Sequence, residues 1–449
     1  MRIFLSSLIL LLFITSSYGQ KNLSLDEAIN IALKRNTVLQ RNINNIESAQ
    51  SNVKASWGNF FPSLGAQGQW SWSRNEEEGG YKNIPDVGLI YFPKSADENR
   101  SYNVGVGTNW TLFDGLSNIA TLNKNKTDLE SVRLIVERIK QDVVFQTITL
   151  YYNVINNMKL LKVKEEDITW NQKNLETVTE RNRLGAVTLA DVYAQQVRLG
   201  NAELEVIRTR NILESGKTDL LYYLGLDVLS NYTFSDSLLL SDQELMKNDF
   251  NYQSDDFNNV INKAMFQRFD YQSAKLNLES AKYDISIAQS GYFPTLTNGI
   301  SFSTQANKPG DLFKSKYYSV GLTLNVPIFT GFNVDNRVQF AEVNYKNQEL
   351  VVEELERDIK RKIQQTYLDI EASEKQLDVS KRNVMAAEEN RKIEQEKYSL
   401  GSGTLLNVLI ANSEYTTAQS NNINAQFSYS VLKEQLKYYL GVLDYKQYE

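Results

Sequence analysis

Two hydrophobic periods alternate along this chain, and each marks a different kind of element. Over 62–74, Leu64, Ala66, Gly68, Trp70 and Trp72 alternate with Ser63, Gly65, Gln67, Gln69, Ser71 and Ser73. Over 101–113, Tyr102, Val104, Val106, Trp110 and Leu112 alternate with Asn103, Gly105, Gly107 and Asn109. A period of two predicts strands with one apolar and one polar face. Segments 294–306 and 316–329 are the corresponding strands further on, the latter setting Tyr318, Val320, Leu322, Leu324, Val326 and Ile328 against Ser319, Gly321, Thr323 and Asn325. Each strand is about ten residues long, enough for a tilted membrane crossing. A soluble sandwich would show the same alternation, but its four strands would come from hairpins separated by a long helical stretch.

The other period is helical. From about 117 to 183, Leu129, Val132, Val136, Ile139 and Val143 step by three and four, the seam of a coiled coil. A second such helix runs from about 333 to 398 through Val352, Leu355, Ile359, Ile363, Tyr367 and Ile370. At 1.5 Å per residue each is about 100 Å long. Both end at a glycine-containing turn and are followed by return helices, about 188–224 and 404–440. Shorter helices, about 24–57 and 257–290, lead into the strands. One lead-in plus one return helix roughly equals one long helix, which suggests stacked pairs beside the long helices. All six prolines, at 62, 85, 93, 294, 309 and 327, fall in or beside the strand regions. An interior proline costs a helix about 3 kcal/mol, so this segregation reinforces the division.

The elements recur in register. FFPSL at 60–64 returns as YFPTL at 292–296, and at the same offset Leu25, Ile29 and Ala32 fall on Phe257, Ile261 and Ala264. Beyond the first strand of each half the offset shortens once. Val104, Gly105, Asn109, Phe113 and Gly115 then match Val320, Gly321, Asn325, Phe329 and Gly331, and LYYLG at 221–225 matches KYYLG at 437–441. The expected organisation is a signal peptide at 1–19, a first repeat over 20–225, an acidic linker over 226–256 and a second repeat over 257–449. The connection between the strands is longer in the first repeat, a surface difference.

Composition narrows the function. Arg2, an apolar run over 3–14, and then Ser17 and Gly19 form a secretory signal with cleavage expected after Gly19; a retained anchor is the alternative. No other segment has the roughly 20 apolar residues of a spanning helix, so any membrane entry is as strands. The chain has no cysteine and no histidine, which removes thiolate chemistry, Ser/His/Asp triads and the commonest zinc sites. No enzymatic activity, metal or cofactor is expected. A net charge of −6 spread over 449 residues argues against nucleic acid.

Four strands cannot close a cylinder, and open edges are not tolerated in lipid. Two chains would give a filled barrel, whereas three would leave a lumen lined by the Ser, Gly, Asn and Gln face. Geometry favours three without excluding other numbers.

The order of elements, the doubled FFPSL and YFPTL, the strand ends WTLFDG and VPIFTG, and the turns RLGAVTLADV and LGSGTLLNV resemble the TolC family of outer-membrane efflux proteins. That resemblance implies a homotrimer in outer-membrane lipid, with a twelve-stranded β-barrel joined to a long α-helical barrel in the periplasm. It also implies docking of the helical tips onto a periplasmic adaptor (membrane fusion) protein, which meets an inner-membrane pump of the RND or ABC class. The tips would be the turns at Leu184 and Gly185 and at Leu400, Gly401 and Gly403, glycines that also read as helix caps. The family often narrows its periplasmic entrance with aspartates. Those positions here are Asn407 and Ile410, while the matching residue of the first half is Asp191. The expectation is a constriction of Asp191, Asn407 and Ile410; Asp191 serving only the helix dipole is the plainer reading. Drug efflux and type I secretion both stay open, and a trimeric structural or adhesive stalk is the competing class.

Overall fold

The computed structural model describes residues 21–235 and 257–448. The signal peptide expected at 1–19 and most of the linker, residues 236–256, lie outside the described residues. The elements in chain order are β1 (Lys21–Leu23), α1 (Leu25–Arg35), α2 (Thr37–Gly58), β2 (Ser63–Glu77), β3 (Gly80–Ile84), β4 (Gly88–Phe92) and β5 (Ser95–Phe113). Then come α3 (Ser117–Arg183), α4 (Leu189–Tyr223), β6 (Tyr232–Phe234), α5 (Phe257–Gln267), α6 (Phe269–Gln289), β7 (Thr295–Ala306), β8 (Lys316–Asn325), α7 (Asn333–Ser399) and α8 (Leu405–Leu440). The fold is mainly helical, with strands.

The described residues divide into two compact units. One lies within Met1–Ile43, Ile135–Phe269 and Glu356–Glu449, the other within Asn44–Leu134 and Asp270–Leu355. The second unit holds a four-stranded antiparallel sheet in the order β2-β5-β7-β8. The two hairpins join through β5 and β7, where Val104 stands opposite Thr304 and Gly107 opposite Ser301. β2 and β8 are therefore edges. On one face, Leu64, Trp70, Val320, Leu322 and Leu324 stand largely exposed.

The strands depart from the alternation in three places. β2 continues to Glu77 and β5 begins at Ser95, because backbone pairing needs no apolar face. Arg74 reaches Glu98 at 3.6 Å within this charged extension. The connection between them forms a further hairpin, β3–β4, with Tyr81 opposite Tyr91. β8 stops at Asn325, short of 329, where Pro327 has no N–H to give a ladder.

In the first unit the short helices are each broken where one helix was expected over 24–57 and over 257–290. Asn36 ends α1, and its Oδ1 accepts from Val38 N and Leu39 N to start α2. Its Nδ2 donates to Tyr223 O at the end of α4. Arg268 stands between α5 and α6 and donates from Nη1 to Tyr439 O near the end of α8. Neither break uses proline or glycine, so neither carries an obvious sequence signal. The core of this unit includes Tyr151, whose hydroxyl donates to Leu23 O, and the fully buried Ile359, Ile363 and Ile370 of α7.

Candidate functional site

The candidate residues sit at two turns, 184–188 between α3 and α4 and 400–404 between α7 and α8. At both, an L-residue helix must be stopped and reversed. Gly185 (φ +76°) and Gly401 (φ +77°) take the left-handed conformation that only glycine adopts without strain. Ala186 N then donates to Arg181 O, and Ser402 N to Lys397 O, the long-range bonds that satisfy last-turn carbonyls. Leu184 and Leu400 are left protruding, at 72% and 76% exposure.

Below the turns lies a shared apolar core. Val178 of α3, Val192 of α4, Tyr398 of α7 and Leu405, Val408 and Leu409 of α8 are buried together, with Trp170, Leu175 and Val187 against them. Arg181 locks the two turns. Its guanidinium donates to Tyr398 O at 3.0 Å and Ser399 O at 3.1 Å and lies 4.4 Å from the centre of the Tyr398 ring. A cation thus covers the negative end of α7. Further along, Asp167 Oδ1 accepts from Asn412 Nδ2 at 2.7 Å and from Thr416 Oγ1 at 3.3 Å. Sequence reasoning passed over Arg181 and Tyr398; the available signal was a basic residue in the last turn of α3.

Each candidate gate residue engages its own surroundings. Asp191 N donates to Thr188 Oγ1, and Asp191 Oδ2 accepts from Thr188 N at 2.9 Å and Thr188 Oγ1 at 2.7 Å, a reciprocal N-cap. The carboxylate is half-buried and turned back on its helix start. Asn407 N donates to Thr404 Oγ1 at 3.3 Å, but its exposed side chain does not complete such a box. Lys397, 2.6 Å from Glu394, is the main influence holding the Glu394 carboxyl below its ordinary pKa, with the Asn407 amide assisting and desolvation opposing. Ile410 is exposed and lines a polar groove with Asn383 and Asn390 of α7, Glu414 of α8 and Arg198 of α4. Gly403 is held by space, since a Cβ there would stand 3.0 Å from Lys397 Cβ and from Tyr398 N.

Among the described residues no cluster of three or more His, Cys, Asp or Glu side chains is placed to hold a metal, and no helix is long and apolar enough to cross a membrane. The arrangement offers packing surfaces and polar linings.

The family model described as outer membrane efflux protein matches residues 28–226 and again 260–442. Outer membrane protein TolC of Escherichia coli (strain K12) is 23% identical over 377 residues, covering 76% of this chain and 74% of that protein. Among solved structures, CusC superposes with a TM-score of 0.79 at 15% identity, covering 93% of this chain and 91% of the other. The CmeC outer membrane channel of Campylobacter jejuni gives 0.76 at 17% identity, covering 93% and 85%.

Proposed function

The chain belongs to the outer membrane efflux protein family, and on that premise we propose that three copies form a passive duct across the outer membrane and periplasm. The observation that carries this reading is the four-stranded sheet with two unpaired edges and an exposed apolar face. Lipid offers no partner to an edge N–H or C=O, so β2 of one copy must pair with β8 of the next. Three copies supply twelve strands, whose interior is wide enough to stay wet. The two successive family matches support a duplicated unit in which each copy contributes one hairpin and one long helix with its return.

In this reading the N-terminal signal directs export and is removed, and no bond chemistry occurs. Substrates come from an inner-membrane pump of the RND or ABC class through a periplasmic adaptor, which docks on the turns that present Leu184, Gly185, Leu400, Gly401 and Gly403. Relatives named for efflux and for pyoverdine export support an export role, with drug efflux and type I secretion as the two settings. Asp191, Asn407 and Ile410 line the narrowed periplasmic end, where Ile410 supplies an apolar layer. An adhesive stalk would share the coiled coils but gives no reason for apolar-faced hairpins.

Two measurements test this. The protein in outer-membrane fractions should run as a heat-sensitive trimer; a soluble monomer would defeat the duct. In planar bilayers, Ile410→Asp together with Asn407→Asp should increase cation preference and create block by divalent cations. Unchanged conductance and block would remove these residues from the gate while leaving the duct intact.

A further inference from the structure

The two hairpins of the sheet end differently. β7 and β8 are joined by a short turn through Pro309–Asp311. The β5–β7 ladder ends where Tyr102 stands opposite Ala306, but the β2–β5 ladder runs on from Ser71 to Glu77, about 23 Å further at the strand rise. This stem carries Arg74, Glu76, Glu77, Asp97, Glu98 and Arg100, all exposed. Such a run of charge belongs in water and not against lipid. Beyond it the ladder breaks. Pro93 has no N–H to pair, and a Cβ at Gly79 would stand 2.8 Å from Lys94 N and 3.0 Å from Tyr91 Oη. Pairing resumes in the separate β3–β4 sheet.

Residues opposite one another in an antiparallel pair share a face. One face of β3–β4 holds Lys82, Ile84, Ile90 and Phe92, and Lys82 Nζ covers the Phe92 ring at 5.3 Å from its centre. The other face holds Tyr81, Asn83, Leu89 and Tyr91. Tyr81 and Leu89 are both 71% exposed, and the two tyrosine rings meet edge to face at 5.2 Å. A two-stranded hairpin is marginal alone in water, so an open face with three large apolar side chains calls for a cover. Lipid does not supply it, because the charged stem separates this face from the apolar face of the sheet.

α2 leads into β2 and β5 leads into α3 at the opposite ends of the strands, so in the duct proposed above, on which this inference rests, the stems point outward from the cell. Strands spaced about 4.8 Å apart and tilted about 40° close a ring of twelve at a radius of about 12 Å. A five-residue hairpin spans about 17 Å, enough to reach the axis once it turns inward at Gly79. We infer that the Tyr81, Leu89 and Tyr91 face of each hairpin packs on the hairpins of the other two copies, and that the three together narrow the outer mouth. β2 is the edge that pairs with the next copy, so each stem already stands at a join between copies. Tethering to one ring holds the three faces at an effective concentration of about millimolar or more, so a weak apolar contact suffices.

The chain has no cysteine, so single cysteine variants have no background. Full-length Leu89→Cys and Tyr91→Cys are treated in membranes with a short bismaleimide, beside Ser73→Cys in the stem. Covalent dimers are expected at the hairpin and none at the stem. In planar bilayers, two further variants remove the contact. One replaces residues 78–94 by Asn-Gly, which closes the stem with a two-residue turn; the other is Tyr81→Ser/Leu89→Ser/Tyr91→Ser. Both should give conductance steps about two-fold larger than wild type, because the lumen of the twelve-stranded ring is then uncovered. Heat-sensitive trimers that yield no dimer at either hairpin position, or steps of wild-type size from both variants, would overturn the lid and leave the duct standing. A soluble monomer would overturn both. A variant without the heat-sensitive trimer band has failed to assemble, and the other then decides.

Discussion

The turn at 184–188 and the turn at 400–404 reverse the chain with the same glycine and the same threonine, yet they are tied down differently. In the first, Asp191 closes a reciprocal cap with Thr188, and Val187 fills space against the shared core. In the second, Gly403 stands where the first has Val187, and Asn407 leaves its cap half made. Both turns are bonded back to the helix that precedes them, the first through Asn182 Nδ2 to Val187 O and the second through Gly403 N to Lys397 O, but only the first has a closed cap. An acidic side chain at a helix start is therefore not by itself a gate, because Asp191 already has a structural use.

Exchanging these features should break the comparison in order of size. Gly403→Val, which copies the first turn into the second, forces a branched side chain against Lys397 and Tyr398. It should cost about 2–3 kcal/mol of local stability, seen as faster amide hydrogen exchange over 394–408, whereas Val187→Gly should cost about 1 kcal/mol. Arg181→Met removes two charge-assisted bonds to the end of α7 and should cost about 2 kcal/mol. Exchange should then rise at residues 397–400 more than at 184–188. Thr188→Ala breaks a reciprocal cap and should cost about 1 kcal/mol, with Thr404→Ala at about half that; equal losses would deny the difference between the turns.

The smallest effect is one of pH. The Glu394 carboxyl titrates below its ordinary range in the folded protein, chiefly because of Lys397. Its contribution is present above the ordinary carboxyl pKa and is lost as pH falls through the lowered value. Acidification through that window should speed exchange around Leu400 in the wild type, and Glu394→Gln should abolish Glu394's share of that response.

The mainly helical character and the presence of strands were legible because two different periods and the proline positions agree on them. The missed features leave the hydrophobic pattern untouched. Asn36 and Arg268 break helices through hydrogen bonds to distant carbonyls, Tyr223 O and Tyr439 O, and their neighbours in sequence give no sign of it. β2 and β5 stay paired past the apolar stretch through backbone bonds and pairs such as Arg74 with Glu98 at 3.6 Å, and β3–β4 forms a separate two-stranded sheet beyond them in sequence. At the candidate site, glycine and threonine could be read from the sequence because they fix backbone geometry. Arg181 shows only as a basic residue in the last turn of α3; its partners could not be read, since they are carbonyls more than two hundred residues away.

The central claim is that chains with open β-edges assemble into a conducting duct. The most direct measurement is the current through a planar bilayer after addition of the purified wild-type protein. The account predicts discrete, long-lived conductance steps from trimeric material only. Stable insertion of the protein as a trimer with no ionic current at any voltage or salt concentration would contradict it.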